Sequence, residues 1–114
     1  MKGDIPKALR RQMNQLVDTA HELALRGELT KLDQQFARWR GGEIDSFALA
    51  ELIHKFHDGP NRETYIRFSD RRGSRLASIA AYAIHNGLVG ENAVSPEVME
   101  FVARRLEFYR YEST

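Results

Sequence analysis

The chain has 114 residues, 42% hydrophobic and 29% charged, with no cysteine, eight glycines, three prolines and a formal net charge of +1. That length suits a single domain, 1–114, and the ordinary hydrophobicity and near-zero charge exclude wholesale disorder and collagen-like or low-complexity classes. Without cysteine there are no disulfides, cysteine-ligated zinc sites, iron–sulfur clusters or thiol nucleophiles, a composition suited to a reducing cytosol.

In chain order, Asp4 is placed to cap a helix whose first turn holds Pro6, where a missing N–H does no harm. Leu9, Met13, Leu16, Ala20 and Leu23 follow in steps of four and three, an amphipathic stripe that Arg26 and Gly27 are expected to end. Leu29, Leu32, Phe36 and Trp39 mark a second helix closed by Gly41-Gly42. The third begins at Asp45 or Ser46 and runs to Asp58, with Gly59-Pro60 as its stop. At about 100° per residue, Leu49, Leu52, Ile53 and Phe56 share one face. Phe47, Ala50, His54 and His57 share an adjoining one, so this helix is expected to be packed on two sides.

A short fourth helix from Asn61 carries Tyr65, Ile66 and Phe68 to hold it to the core, and Asp70 to Gly73 form a turn. Ser74 is placed to cap a fifth helix in which Leu76, Ala77, Ile79, Ala80, Ala81, Ala83 and Ile84 surround the axis. Asn86-Gly87 stops it, and Ser95-Pro96-Glu97 starts the last helix, with Val98, Phe101, Val102, Leu106 and Tyr109 facing inward. No stretch alternates with the two-residue period of a strand. The expectation is an all-α, compact single-domain bundle of five to six helices around a central apolar helix at about 74–86.

The longest nearly apolar stretch, Leu76 to Ile84, is far short of the roughly 20 residues a bilayer span needs. The opening MKGDIPKALRRQ is followed by no apolar run, so neither a secretory signal nor membrane insertion is expected, and the cytoplasm is the predicted location. Charge is uneven. Lys55, Arg62, Arg67, Arg71, Arg72 and Arg75 outweigh Asp58, Glu63 and Asp70, whereas 76–103 holds only Glu91, Glu97 and Glu100. Such polarity favours association with a charged partner or with a second copy.

Three candidate sites emerge. His54, His57 and Asp58 share a helix face at a spacing that can reach one divalent metal; packing of both histidines against the apolar face, or bonding to Arg62, is the alternative. Arg62, Arg67, Arg71, Arg72 and Arg75, interleaved with Tyr65 and Phe68, can contact an anion or nucleic-acid phosphates, the alternative being a solvated loop. Trp39 between Arg38 and Arg40, together with Tyr109 and Tyr111, has the composition of a protein interface. There is no P-loop, no Gly-x-Ser-x-Gly, no His-Glu-x-x-His and no Gly-x-Gly-x-x-Gly, so neither a catalytic residue nor a cofactor is assigned.

The adjacent His57-Asp58 resembles the pair in the HD phosphohydrolases, helical enzymes with a His…His-Asp…Asp ligand set. That resemblance covers two residues, and would give His21 and Asp70 the outer roles. The stretch from Trp39 to Arg62, with Gly42-Glu43-Ile44, then Ile53-His-x-Phe-His-x-Gly59 and Arg62, resembles a pattern in small bacterial all-helical proteins of uncharacterised activity. It implies a helical fold and no particular chemistry. The expected function is a non-enzymatic, cytoplasmic interaction or regulatory module with a protein partner or a second copy. The alternatives are a metal-dependent hydrolase-like site at His54, His57 and Asp58, and weak nucleic-acid binding through Arg62–Arg75.

Overall fold

Helix α1 runs unbroken from Lys7 to Arg40 in the computed structural model, which describes residues 5–112. The expected cap Asp4 lies outside the described residues. The expected stop at Gly27 does not occur. A mid-helix glycine costs only about 1 kcal/mol relative to alanine, and good helix formers flank it on both sides. Glu22 pairs with Arg26 (2.8 Å) and Glu28 with Lys31 (3.3 Å), carrying the helix through. The real stop is Gly42, whose positive φ of 78° only glycine adopts readily. There Glu43 N–H donates to Arg38 O and Gly42 N–H to Trp39 O, the paired bonds of a Schellman motif.

Asp45 caps α2 (Ser46–Phe56), accepting from Ala48 N–H at 2.8 Å. Gly59-Pro60 was expected to end the helical course. Instead a single π-helical turn, His57–Asn61, takes up the proline and leads directly into α3 (Arg62–Ser69). A wider turn tolerates a residue that lacks N–H and crowds the preceding carbonyls. A short connection, extended at Asp70 and turning at Gly73-Ser74, leads to α4 (Arg75–His85), and a 3₁₀ turn, Glu91–Ala93, precedes α5 (Pro96–Glu112). The described residues are all-helical and contain no strand. They form four continuous rods rather than five or six, because neither glycine break is realised: α1, α2 with α3, α4, and α5.

Helix α4 is the central element: Leu76, Ala77, Ala80, Ala81, Ala83 and Ile84 are all buried, against α1 on one side and α5 on another. Its alanines let neighbouring backbones approach. Ser74 stands at its N-cap position but makes no side-chain cap bond, whereas Ser95 Oγ accepts from Val98 N–H at 3.2 Å and also bonds Gln12. One core joins Leu9, Met13, Val17 and Ala20 of α1 to Phe68, to α4 and to Val98, Val102 and Leu106 of α5. Tyr65 and Ile66, expected to pin α3, are 65% and 60% exposed; Phe68 and Thr64 do that work.

The second half of α1 behaves differently. Leu25, Leu29, Leu32, Phe36 and Trp39 repeat the four-three spacing of Leu9 to Leu23, but sixteen residues on, which turns the stripe by about 160°. Leu9, Met13 and Ala20 of the first stripe are buried in the main core, whereas Leu32 of the second lies beside Leu52 and Phe56 of α2, so α1 with α2 forms an arm that leaves the body. Leu49, the only fully buried residue of α2, is not part of the main core. The molecule measures 58 × 27 × 24 Å with a radius of gyration of 17.6 Å. A compact chain of this length has about 13 Å. The compact bundle that was expected therefore describes the body, and the arm extends beyond it.

Candidate interaction surfaces

The histidine corner lies where α2 passes into the π turn. His54 Nε2 and Asp58 Oδ2 are 3.1 Å apart, with both side chains more than half exposed, and His57 is exposed as well. Neither histidine is packed into apolar core. His21 lies elsewhere, stacked on Phe68 at 5.2 Å, and Asp70 is held by Arg72 and Arg75. Among the described residues no group of three His, Cys, Asp or Glu side chains stands close enough to share a metal ion.

The basic run does not form one face. Arg71 turns inward: its Nε donates to Phe68 O (2.9 Å), and its Nη1 reaches Asn14 Oδ1 (3.1 Å) and Asp18 Oδ1 (2.7 Å) on α1. It is a tie between α3 and α1. Arg72 grips Asp70 through two bonds of 2.8 and 3.0 Å, and Arg75 approaches the same carboxylate at 3.3 Å. Those contacts, the Arg72 guanidinium foremost, hold the Asp70 carboxyl down at about 2. Arg67 donates to Tyr82 Oη at 2.6 Å, with its guanidinium carbon 4.6 Å from the centre of that ring. Arg62 is exposed on the first turn of α3.

Two of these arginines look into a cleft that sequence reasoning did not single out. The outward side of α4 (Ser78, Ile79, Tyr82) is its floor, the end of α3 (Ile66, Arg67, Asp70) one wall, and α5 (Arg104, Arg105, Phe108, Tyr109) the other. Two adjoining open hollows of about 540 and 490 Å³ share Ser78 and Tyr109. An available signal was the spacing of Arg104 and Phe108, which puts them one turn apart on the outer face of α5.

The aromatic candidates do not share a surface. Trp39 closes the corner between α1 and α2, its Nε1 donating to Ser46 Oγ at 3.1 Å while Phe36 meets it edge-on at 6.5 Å. Tyr109 belongs to an aromatic series through the body, edge-on to Tyr82 at 6.4 Å and stacked on His85 at 5.6 Å. Tyr111 is 82% exposed near the end of α5.

The outward face of α2 is the plainest uncovered apolar feature. Phe47, Ala50, His54 and His57, in steps of three, four and three, are all exposed, with Phe47 at 86%. The two-sided packing expected of this helix is met on one side by α1; on the other, Phe47, Ala50 and His54 stay exposed. No described helix is long and apolar enough to cross a membrane. Comparison of the chain with family models, with curated proteins and with solved structures found no match in any of the three.

Proposed function

We propose that this chain is a non-enzymatic protein-interaction module that pairs with a second copy through the outward face of α2. The carrying observation is that α2 buries Leu49 towards α1 while its outward side leaves Phe47 86% exposed beside Ala50 and His54, with His57 just beyond the helix end. An antiparallel pairing presents this one face of each copy to itself. A two-fold axis between Ala50 and His54 sets Phe47 of one copy against His57 of the other, and the small Ala50 lets the helices come close.

Surface area points the same way. The chain exposes 8127 Å², whereas a compact monomer of its mass exposes about 6,400 Å². The excess is more than the roughly 800 Å² per partner that a standard interface covers. A reducing cytosol is the proposed setting, on the cysteine-free composition.

Sedimentation tests this reading. The wild-type chain at about 100 µM is expected to sediment as a species of twice 13.1 kDa. Phe47→Glu, at a position that contributes little to the fold, is expected to sediment as a folded monomer. A wild-type monomer, or a variant that pairs as tightly as wild type, overturns the proposal. The metal alternative retains one favourable contact, His54 with Asp58; an unchanged Tm in the presence of millimolar-range Zn²⁺ or Ni²⁺ removes it.

A further inference from the structure

We infer that the cleft over α4 is a docking groove for an acidic amphipathic segment of another protein. This inference stands on residues separate from the face of α2 and does not depend on self-association.

The first support is charge. Arg67, Arg75, Arg104 and Arg105 line the two hollows against a single carboxylate, Asp70, which Arg72 and Arg75 already hold. A chain of net charge +1 thus concentrates cationic side chains in one concavity. Three of these arginines, Arg67, Arg104 and Arg105, are also available. Arg67 and Arg105 are held by hydroxyls, Tyr82 Oη and Ser78 Oγ, rather than by carboxylates. Arg104 makes no hydrogen bond or ion pair among the described residues. Planar guanidinium forks oriented by neutral partners keep N–H groups to offer an incoming carboxylate.

The second support is the floor. Ile79 and Ile66 line one hollow, and Phe108, 61% exposed, edges the other, so a partner gains by placing an apolar side chain in each. Apolar anchors about one helical turn apart, flanked by Asp or Glu, match that layout. Nucleic acid matches it less well. The Arg67 guanidinium already covers a face of Tyr82, where a base would stack.

The test is a selection of random twelve-residue peptides displayed against the full-length chain. Enrichment of peptides with two large apolar residues among Asp and Glu is expected. Their affinity, read by fluorescence anisotropy, should fall about tenfold or more in Arg104→Glu/Arg105→Glu, weaken with added salt, and stay unchanged in Phe47→Glu. Arg104→Glu alone, at an exposed position, should move affinity in the same direction with the circular dichroism spectrum intact. Selected peptides lacking acidic bias, equal binding by the double variant, or displacement of the peptides by a single-stranded oligonucleotide that binds more tightly would overturn the inference.

Discussion

The body and the arm are built on one helix, yet they solve the burial problem in opposite ways. In the body, α4 is enclosed by its neighbours, and the shared core runs from Leu9 to Leu106 without interruption. In the arm, the second half of α1 has only α2 and the π turn to lean on, and α2 buries a single residue, Leu49. Two helices cannot cover both faces of either one. The body therefore encloses a continuous core and leaves only side chains such as Ile66 and Phe108 at its rim, whereas the arm has no such core and displays Phe47 to solvent. Surface that looks wasteful within one chain is most simply understood as surface meant for another.

The sharpest way to break this contrast is a pair of truncations. Phe68→Ala in the body removes a ring that is 1% exposed and should cost about 3–5 kcal/mol in urea denaturation. Phe47→Ala on the arm removes a ring that is 86% exposed and should change the stability of the isolated chain by less than about 0.5 kcal/mol. Comparable losses at the two sites would mean that the arm has a core of its own. Next in size is Arg71→Ala, which severs the tie from α3 to Asn14 and Asp18; a loss of about 2 kcal/mol is expected by the same assay.

Smaller effects probe helix continuity. Gly27→Ala adds a Cβ that meets nothing within 4 Å, so Tm should rise, by about 1 kcal/mol of added stability. Gly87→Ala, at a φ of 69°, should lose about 1–2 kcal/mol. A fall in stability at Gly27 would show that the root of the arm needs glycine's freedom. The smallest effect is electrostatic and sits at the edge of the cleft. Because Asp70 titrates lower in the folded chain than in the unfolded one, its contacts stabilise the fold above about pH 4. That contribution fades as pH falls towards the folded value of about 2. The difference in Tm between wild type and Asp70→Asn should hold steady from neutrality to mild acid and close only below that window.

Much of the fold is legible in the sequence because its signals are local. The caps Asp45 and Ser95, the stops at Gly42 and Gly87, and the all-round apolar pattern of α4 each act within a turn or two. The misread points are those where a local cost was overridden. Gly27 and Gly59-Pro60 carry penalties of a few kcal/mol at most, less than the stripes on either side regain by staying in register. Arg71 could not be told from Arg72 by sequence, since only the approach of α1 decides which of the two turns inward. The cleft was invisible for a related reason. Arg104 and Arg105 sit between the core positions Val102 and Leu106, and nothing local says that Arg67 will stand across from them.

The unbroken course of α1 across Gly27 has a consequence for distance. A 34-residue helix is a strut about 51 Å long, and it joins the face of α2 to the cleft without a hinge. If two chains pair at their arms as proposed, their clefts would become the fixed jaws of a gauge. A partner carrying two acidic segments at the matching separation would meet the second cleft at an effective concentration on the order of millimolar, whereas one with a poorly matched spacer would bind through a single segment. Selectivity would then reside in the spacing between two sites as much as in the chemistry of either.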